Sequence, residues 1–266
     1  MRRSTPVTAP WLVAAALLAA TATAAAQPAT PAIVTDRPSF TNSPKVVGAR
    51  MVQIEAGIAT ARDGTDAGTA TRTSAPNTLV RLGMSARVEF RLEMEGWIRA
   101  SSGRPGRDAE SSASDLALAA EYQFARAEGL GVDLAVIAGA TLPTGGAASS
   151  GNADPFARLV WNRPLGAASL GGTLNWSAPS ANSERVRALD GSVVLGTPLW
   201  GAWSAFWEGV VRHQDVKTDA STWLANAGVL RAFGPNLQLD AWLGRGLNDA
   251  APDWRFGVGV GYRIRR

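Results

Sequence analysis

From residue 50 onward, apolar and polar positions alternate with a period of two. The last segment shows it most clearly. Trp254, Phe256, Val258, Val260, Tyr262 and Ile264 hold the even positions, and Arg255, Gly257, Gly259, Gly261 and Arg263 the odd ones. A helix advancing about 100° per residue would scatter both sets around its circumference, whereas a strand puts them on opposite faces. Val88, Phe90, Leu92, Met94 and Ile98 alternate likewise with Glu89, Arg91, Glu93, Glu95 and Arg99, and Leu116, Leu118, Tyr122 and Phe124 with Asp115, Glu121 and Gln123. The pattern predicts twelve strands, near 50–60, 77–85, 88–100, 114–125, 132–142, 154–162, 168–177, 187–196, 203–214, 222–233, 237–244 and 253–264. The segments at 187–196 and 222–233 are the least regular.

The connections select the architecture. Ser85-Ala86-Arg87, Arg163 to Ala167 and Gly234-Pro235-Asn236 read as tight turns. Arg62 to Pro76, Ser101 to Ala113, Pro143 to Gly151, Pro179 to Arg185 and Arg245 to Pro252 read as longer polar loops. Short and long links mostly take turns along the chain. A soluble β-sandwich also alternates along its strands, but it has no need for link lengths that alternate. An all-β, transmembrane, antiparallel up-and-down β-barrel of about 12 strands does, with short turns and both termini at one end and long loops at the other. Aromatic residues near the strand ends fit two girdles: Phe90, Phe124, Trp161, Trp200, Trp203 and Phe233 at the turn end, Trp176, Trp223 and Trp254 at the loop end.

Two segments precede the strands. Arg2 and Arg3 are followed by an apolar run from Trp11 to Ala20 and small residues up to Ala26, the three-part pattern of a cleaved export signal over 1–26. No later window approaches the ~20 continuous apolar residues of a spanning helix, so membrane insertion has to use strands. Residues 27–49 form a proline-rich lead-in to a barrel over 50–266. Its Pro28, Pro31, Pro38 and Pro44 prevent a regular element. Two expectations stand for 35–49: an extended segment pinned at the mouth or inside the lumen, or an unattached leader.

Composition narrows the chemistry. The absence of cysteine excludes disulfides, thiolate metal sites and a cysteine nucleophile. The single histidine, His213, excludes a His-pair metal site. The net charge of +4 includes Arg2 and Arg3, so the remainder is close to neutral and does not point to nucleic acid. An esterase site is conceivable only around His213, with Ser221 or Asn226 nearby, and no nucleophile motif accompanies it. Glu93 and Glu95 are paired carboxylates on one face, but Arg91 and Arg99 share that face and compensate them. The run Gly257-Val258-Gly259-Val260-Gly261 lacks the strand-to-helix context of a phosphate loop and reads as small lumen-facing positions on a curved strand. Asp63, Asp66 and Asp249 are weak candidates for a divalent cation. No metal and no cofactor is expected.

The opening Thr35-Asp36-Arg37-Pro38-Ser39-Phe40-Thr41-Asn42-Ser43-Pro44, with Gln53-Ile54-Glu55-Ala56-Gly57 after it, resembles the family of outer-membrane channels assigned to the MetA pathway of phenol degradation. The resemblance continues through Pro76 to Gly83, Val88 to Leu92, Ser114 to Tyr122, the piece Leu142-Pro143-Thr144-Gly145, and Gly246-Leu247-Asn248-Asp249. It implies a non-enzymatic channel in the outer membrane of a Gram-negative bacterium, taking up aromatic compounds. Its partners would be outer-membrane lipid, a small solute and the barrel-assembly machinery.

Parity assigns the lumen. Glu55, Glu89, Glu93, Glu95, Asp115, Glu121, Asp133, Asp190, Glu208 and Asp240 point inward, as do Arg81, Arg91, Arg99, Arg158, Arg212, Arg255 and Arg263. Ten acids against seven bases give a nearly balanced interior. Such residues either line a narrow channel for passive uptake or interlock and nearly close the barrel into a structural element. Trp97 and Trp242 also point inward near the loop end, where they either stack on an aromatic solute or simply fill space.

Overall fold

The structure, a computed structural model, describes residues 31–65, 68–104, 106, 108–181, 184–214 and 221–265. The expected signal 1–26 and Asp66 lie outside these residues. The strands are β1 (Met51–Thr65), β2 (Gly68–Gly83), β3 (Val88–Met94), β4 (Trp97–Ser101), β5 (Glu110–Ala113), β6 (Leu116–Ala125), β7 (Asp133–Leu142), β8 (Asp154–Leu165) and β9 (Ala168–Ser177). After a small hairpin of β10 (Ser180–Ala181) and β11 (Glu184–Arg185) come β12 (Ala188–Pro198), β13 (Trp203–Gln214), β14 (Thr222–Phe233), β15 (Leu237–Gly246) and β16 (Trp254–Arg265). A single helical turn, α1 (Ala127–Leu130), joins β6 to β7.

All strands but the small hairpin belong to one antiparallel sheet. It closes because β1 pairs with β2 on one side and with β16 on the other, in register from Met51 opposite Arg265 to Arg62 opposite Trp254. The third span is made of β3 and β4 end to end and the fourth of β5 and β6, so the ring has twelve spans. Closure removes the free edge that hydrocarbon would leave unpaired. The burial pattern is inverted relative to a sandwich. Ile54, Ile58, Phe90, Leu118, Tyr122, Leu174, Val193 and Val258 are exposed, while Gln53, Glu55, Arg81, Glu89 and Glu121 are completely buried.

Two expectations are corrected. The link expected from Arg62 to Pro76 is mostly strand, because β1 runs on to Thr65 and β2 begins at Gly68, forming a hairpin that extends the wall. The third span is not one unbroken alternation. It breaks at Glu95-Gly96, with Gly96 at φ +75°, a backbone state that favours glycine. Met94 and Trp97 are three residues apart yet both are exposed, and Ile98 is buried. The phase therefore flips at the break.

Candidate functional site in the lumen

The lumen is occupied by the chain's own lead-in. Ile33 donates its N–H to Pro235 O at the turn end, the chain reaches Phe40 and Thr41 beside Glu208, and it returns to the turn end, where Arg50 N–H bonds Gly83 O at 3.2 Å. This strap has no regular structure, so its amides need other acceptors. Wall carboxylates supply them. Glu55 accepts from Asp36 N (3.0 Å) and Arg37 N (2.9 Å), Glu208 from Phe40 N (3.0 Å) and Thr41 N (2.7 Å), and Glu89 from Val47 N (2.7 Å). Thr41 and Ser192 hydroxyls meet at 2.7 Å, and Asn42 N–H bonds Thr173 Oγ1 at 3.0 Å.

Beneath the strap lies an ion network. Arg81 bonds Glu89 at 2.7 Å and lies 3.6 Å from Glu55 and 3.7 Å from Asp36. Arg91 contacts Asp36, Glu121 (2.8 Å), Glu89 (3.1 Å) and Glu93 (3.1 Å). Glu93 is gripped from the far side by both terminal nitrogens of Arg158, each at 2.9 Å, and that guanidinium stands 4.4 Å from the Phe156 ring centroid. Carboxylates outnumber guanidiniums here, and the strap's amides make up the missing donors. Burial works to raise the Asp36 carboxyl. Arg91 and Arg81, helped by the Ser43 amide, outweigh it and hold that carboxyl well below the usual carboxylate range.

The strap's other anchor is Arg37, which meets Asp240 at 3.3 Å and donates to Val258 O at 3.1 Å. Its guanidinium occupies a slot that exists because two wall positions lack side chains. A Cβ on Gly259 would sit 2.2 Å from Arg37 Nε, and one on Gly57 2.3 Å from its terminal nitrogen. Gly257 makes the same kind of room for Trp242, and Gly261 for Thr35. The glycine run of the last strand is a cradle for the lead-in and for one indole.

The remaining inward positions fall into place around this. Trp242 and Phe40 border one cavity, with Arg255 stacked 5.3 Å from the Trp242 centroid. Arg212 lies 3.6 Å from Asp190 and 5.8 Å from the Phe40 ring. Glu95 pairs with Arg72, a lumen base that the alternation did not reveal. Asp115 holds the 143–151 loop through Gly145 N (2.8 Å), Ser149 Oγ (3.0 Å) and Ser150 N (3.2 Å). At the turn end, Asp133 accepts from Ala127 N at 3.0 Å, and Arg263 donates to Pro235 O at 3.0 Å.

Two expected lumen residues are not there. Trp97, 59% exposed, and Arg99 follow the break at Gly96 and face outward, with Ile98 taking the inward place. The expected pair of inward indoles is therefore Trp242 alone. His213 Nδ1 does approach Ser221 Oγ, at 3.1 Å, but Asn226 points into the lumen and donates to Glu208 at 2.7 Å. Those three do not assemble as an esterase would need. The strap residues Asp36, Arg37 and Phe40 were missed as site residues. The signal for them was the glycine row opposite a polar, proline-broken segment.

Among the described residues, cavities of about 420, 520 and 320 Å³ lie against the strap, and Arg37 borders these three. The first opens toward the turn end, beside Ser169, Thr197 and Ser204. The second lies against Ile98, Ala117, Phe156 and Arg158, and the third against Trp242 and Arg255. Between Glu121, Asp133 and Arg158, the inward wall of β6 to β8 carries an apolar patch built from Ala117, Ala119, Ile137, Phe156 and Val160.

The family model described as "Putative MetA-pathway of phenol degradation" matches residues 35–264. Among solved structures, the chain is similar to an outer membrane channel from Pseudomonas putida F1, at 13% identity and a TM-score of 0.60, covering 85% of this chain and 100% of that one. It is also similar to the NanC porin, at 8% identity and a TM-score of 0.55, covering 80% of this chain and 100% of that one. The translocator domain of the autotransporter NalP from Neisseria meningitidis matches at 14% identity and a TM-score of 0.52, covering 82% and 89% of the two chains. At these identities the likeness is one of fold. The search of curated proteins finds no match.

Proposed function

The chain belongs to the family of the MetA pathway of phenol degradation, and from that premise we propose that it is an outer-membrane channel for passive uptake of small solutes, aromatic compounds among them. The observation that carries this reading is the lumen itself. A closed ring with an apolar exterior encloses cavities on both sides of the strap, and one arginine borders three of them. On this reading the short turns and both ends of the barrel face the periplasm, and the long loops face outward. No catalytic step is assigned to it. The apolar inward patch with Phe156, and Trp242 beside Phe40, give an aromatic solute ring faces to pass along, each favourable pair worth about 0.5–1.5 kcal/mol. Arg255, which stacks on Trp242 and borders the third cavity, is placed for a carboxylate or phenolate carried on such a ring, whereas Arg37 and Arg158 are already paired with Asp240 and Glu93.

One observation favours a second reading, a resting barrel that is nearly shut. The strap is held from three wall carboxylates and an ion network whose two central guanidiniums are fully buried. Both readings meet the same measurement. The folded full chain in planar bilayers is expected to pass ions, a small aromatic solute to interrupt that current, and Trp242→Ala to weaken the interruption. Current without interruption would remove the aromatic substrate and leave a general channel. No current from a barrel verified as folded would favour the shut reading.

A further inference from the structure

The outside of the barrel carries a patch at the loop end that a channel has no use for. The strand registers lay it out in two rows. In the upper row Thr71, Arg62, Trp254 and Arg245 are neighbours across β2, β1, β16 and β15. In the lower row Arg99, Thr73, Thr60, Phe256 and Leu243 follow across β4, β2, β1, β16 and β15. All three arginines are exposed, and their rows continue the outward face of Ile54, Ile58 and Val258.

Their surroundings keep the guanidiniums at the surface. Arg245 lies 4.7 Å from the Trp254 centroid and Arg62 5.7 Å from the Phe256 centroid. A guanidinium stacked on a ring keeps its N–H edge free to grip a planar pair of oxygens. The Thr60 and Thr73 hydroxyls, 3.1 Å apart, lie between the arginine columns. Among the described residues, Arg245 gives its Nη1 to Asp253, the carbonyl at 3.0 Å and the carboxylate at 3.4 Å, which leaves its other N–H groups for a ligand, and Asp63 and Asp249 border the same loop-end cavity above the upper row. Depth also matters. At ~3.3 Å per residue and a tilt of about 40°, Arg62 stands about 25 Å above Val52, the height of an outer-membrane barrel's apolar band. The upper row is at the boundary where hydrocarbon gives way to headgroups, and the lower row, with Arg99, stands about 5 Å below it, within reach of that boundary for a long side chain.

We propose that this patch binds the phosphorylated sugar headgroup of the outer leaflet's glycolipid, lipopolysaccharide. The inference rests on the outer-membrane orientation given above. Phosphate oxygens accept paired N–H bonds from Arg62, Arg99 and Arg245, the threonine hydroxyls donate to the same headgroup, and Trp254 and Phe256 pack along its junction with the acyl chains.

The full-length barrel, refolded in mild detergent, is incubated with lipopolysaccharide or with the same lipid stripped of its phosphates, and lipid retained on the protein is read by native mass spectrometry. Wild type is expected to retain the phosphorylated lipid about tenfold or more over the stripped one. The triple variant R62Q/R99Q/R245Q is expected to lose that preference, while R231Q, at the other end of the outer surface, keeps it. Heat-modifiable migration and ion current should match wild type in both variants, which separates lost binding from lost folding. Equal retention of the two lipids by wild type, or undiminished preference in the triple variant, overturns the proposal. A wild-type barrel that keeps the lipid but passes no ions would instead overturn the channel reading alone.

Discussion

At the residue scale, Asp36 joins the strap to the wall. Its carboxylate takes Arg91 and the Ser43 amide, and its own N–H is held by Glu55. Breaking a buried ion pair usually costs about 3–5 kcal/mol because a charge is stranded. Here Arg91 keeps Glu89 and Glu121, so the loss in Asp36→Asn is closer to that of one charged hydrogen bond, about 1.5–3 kcal/mol. The expected outcome is a barrel that folds normally and shows longer or larger open events in single-channel records. The pH dependence has a definite sign. Because the Asp36 carboxyl is held below its ordinary value of 3.8, its contribution to docking is complete above that pH and fades only as the pH falls below it. Between pH 8 and 5 this group should leave the current unchanged. A rise in current below about pH 4 in wild type, absent in Asp36→Asn, is the signature. Gly259→Ala tests the other anchor. The three atoms nearest the added Cβ all belong to the flexible end of Arg37, so the guanidinium leaves Asp240 while the wall stays intact. Current should rise with no change in the thermal unfolding of the barrel.

At the element scale, the informative feature is a row of breaks at one height. The register shift between β1 and β2 falls at Gly57 to Ala59, opposite Ser74 to Asn77. Next to it the third span breaks at Glu95-Gly96 and the fourth at Ser114-Asp115, with the pairs Met94–Leu116 and Trp97–Ala113 on either side. A phase error in strands moves every later side chain to the other face. That is why Trp97 and Arg99 are outside and Ile98 inside. Cysteine scanning checks it: a water-soluble thiol reagent should block the current of Ile98→Cys and leave that of Trp97→Cys unaffected. The reverse result would mean an unbroken alternation from 88 to 101. The break explains the limit of what the alternation could reveal. Period two is local, so it located all twelve spans and the facing of β6 to β9 and β12 to β16. It carries no memory across a glycine with positive φ, and Gly96 looks in sequence like any other small residue. The strap was legible only as an irregular segment. Its partners lie between about 20 and about 200 residues away along the chain, at Gly57, Glu89, Glu208 and Asp240, and no periodicity links them.

At the scale of the whole molecule, the ring and the strap are separable in energy. The ring is closed by main-chain pairing between β1 and β16, over which the strap has no control. The strap adds side-chain and amide contacts to a wall that is polar on its inner face. Removing a partner from a buried ion pair in a dry core would leave a stranded charge, but removing the strap opens the lumen to water, which solvates Glu55, Glu89 and Glu208 in place of its amides. The cost to the fold should therefore be small and the change in permeability large. Deleting residues 27–46 is expected to leave strand content and heat-modifiable migration unchanged and to raise the conductance several-fold. The same deletion should weaken interruption by an aromatic solute, because Phe40, which borders the same cavity as Trp242, goes with the strap. A deletion that folds but conducts like wild type would show that the strap does not limit passage. A deletion that fails to fold would show that the ring depends on it after all. Retention of lipopolysaccharide, read on the outer surface, should be the same with and without the strap, since none of Arg62, Arg99 and Arg245 lies on the lumen side.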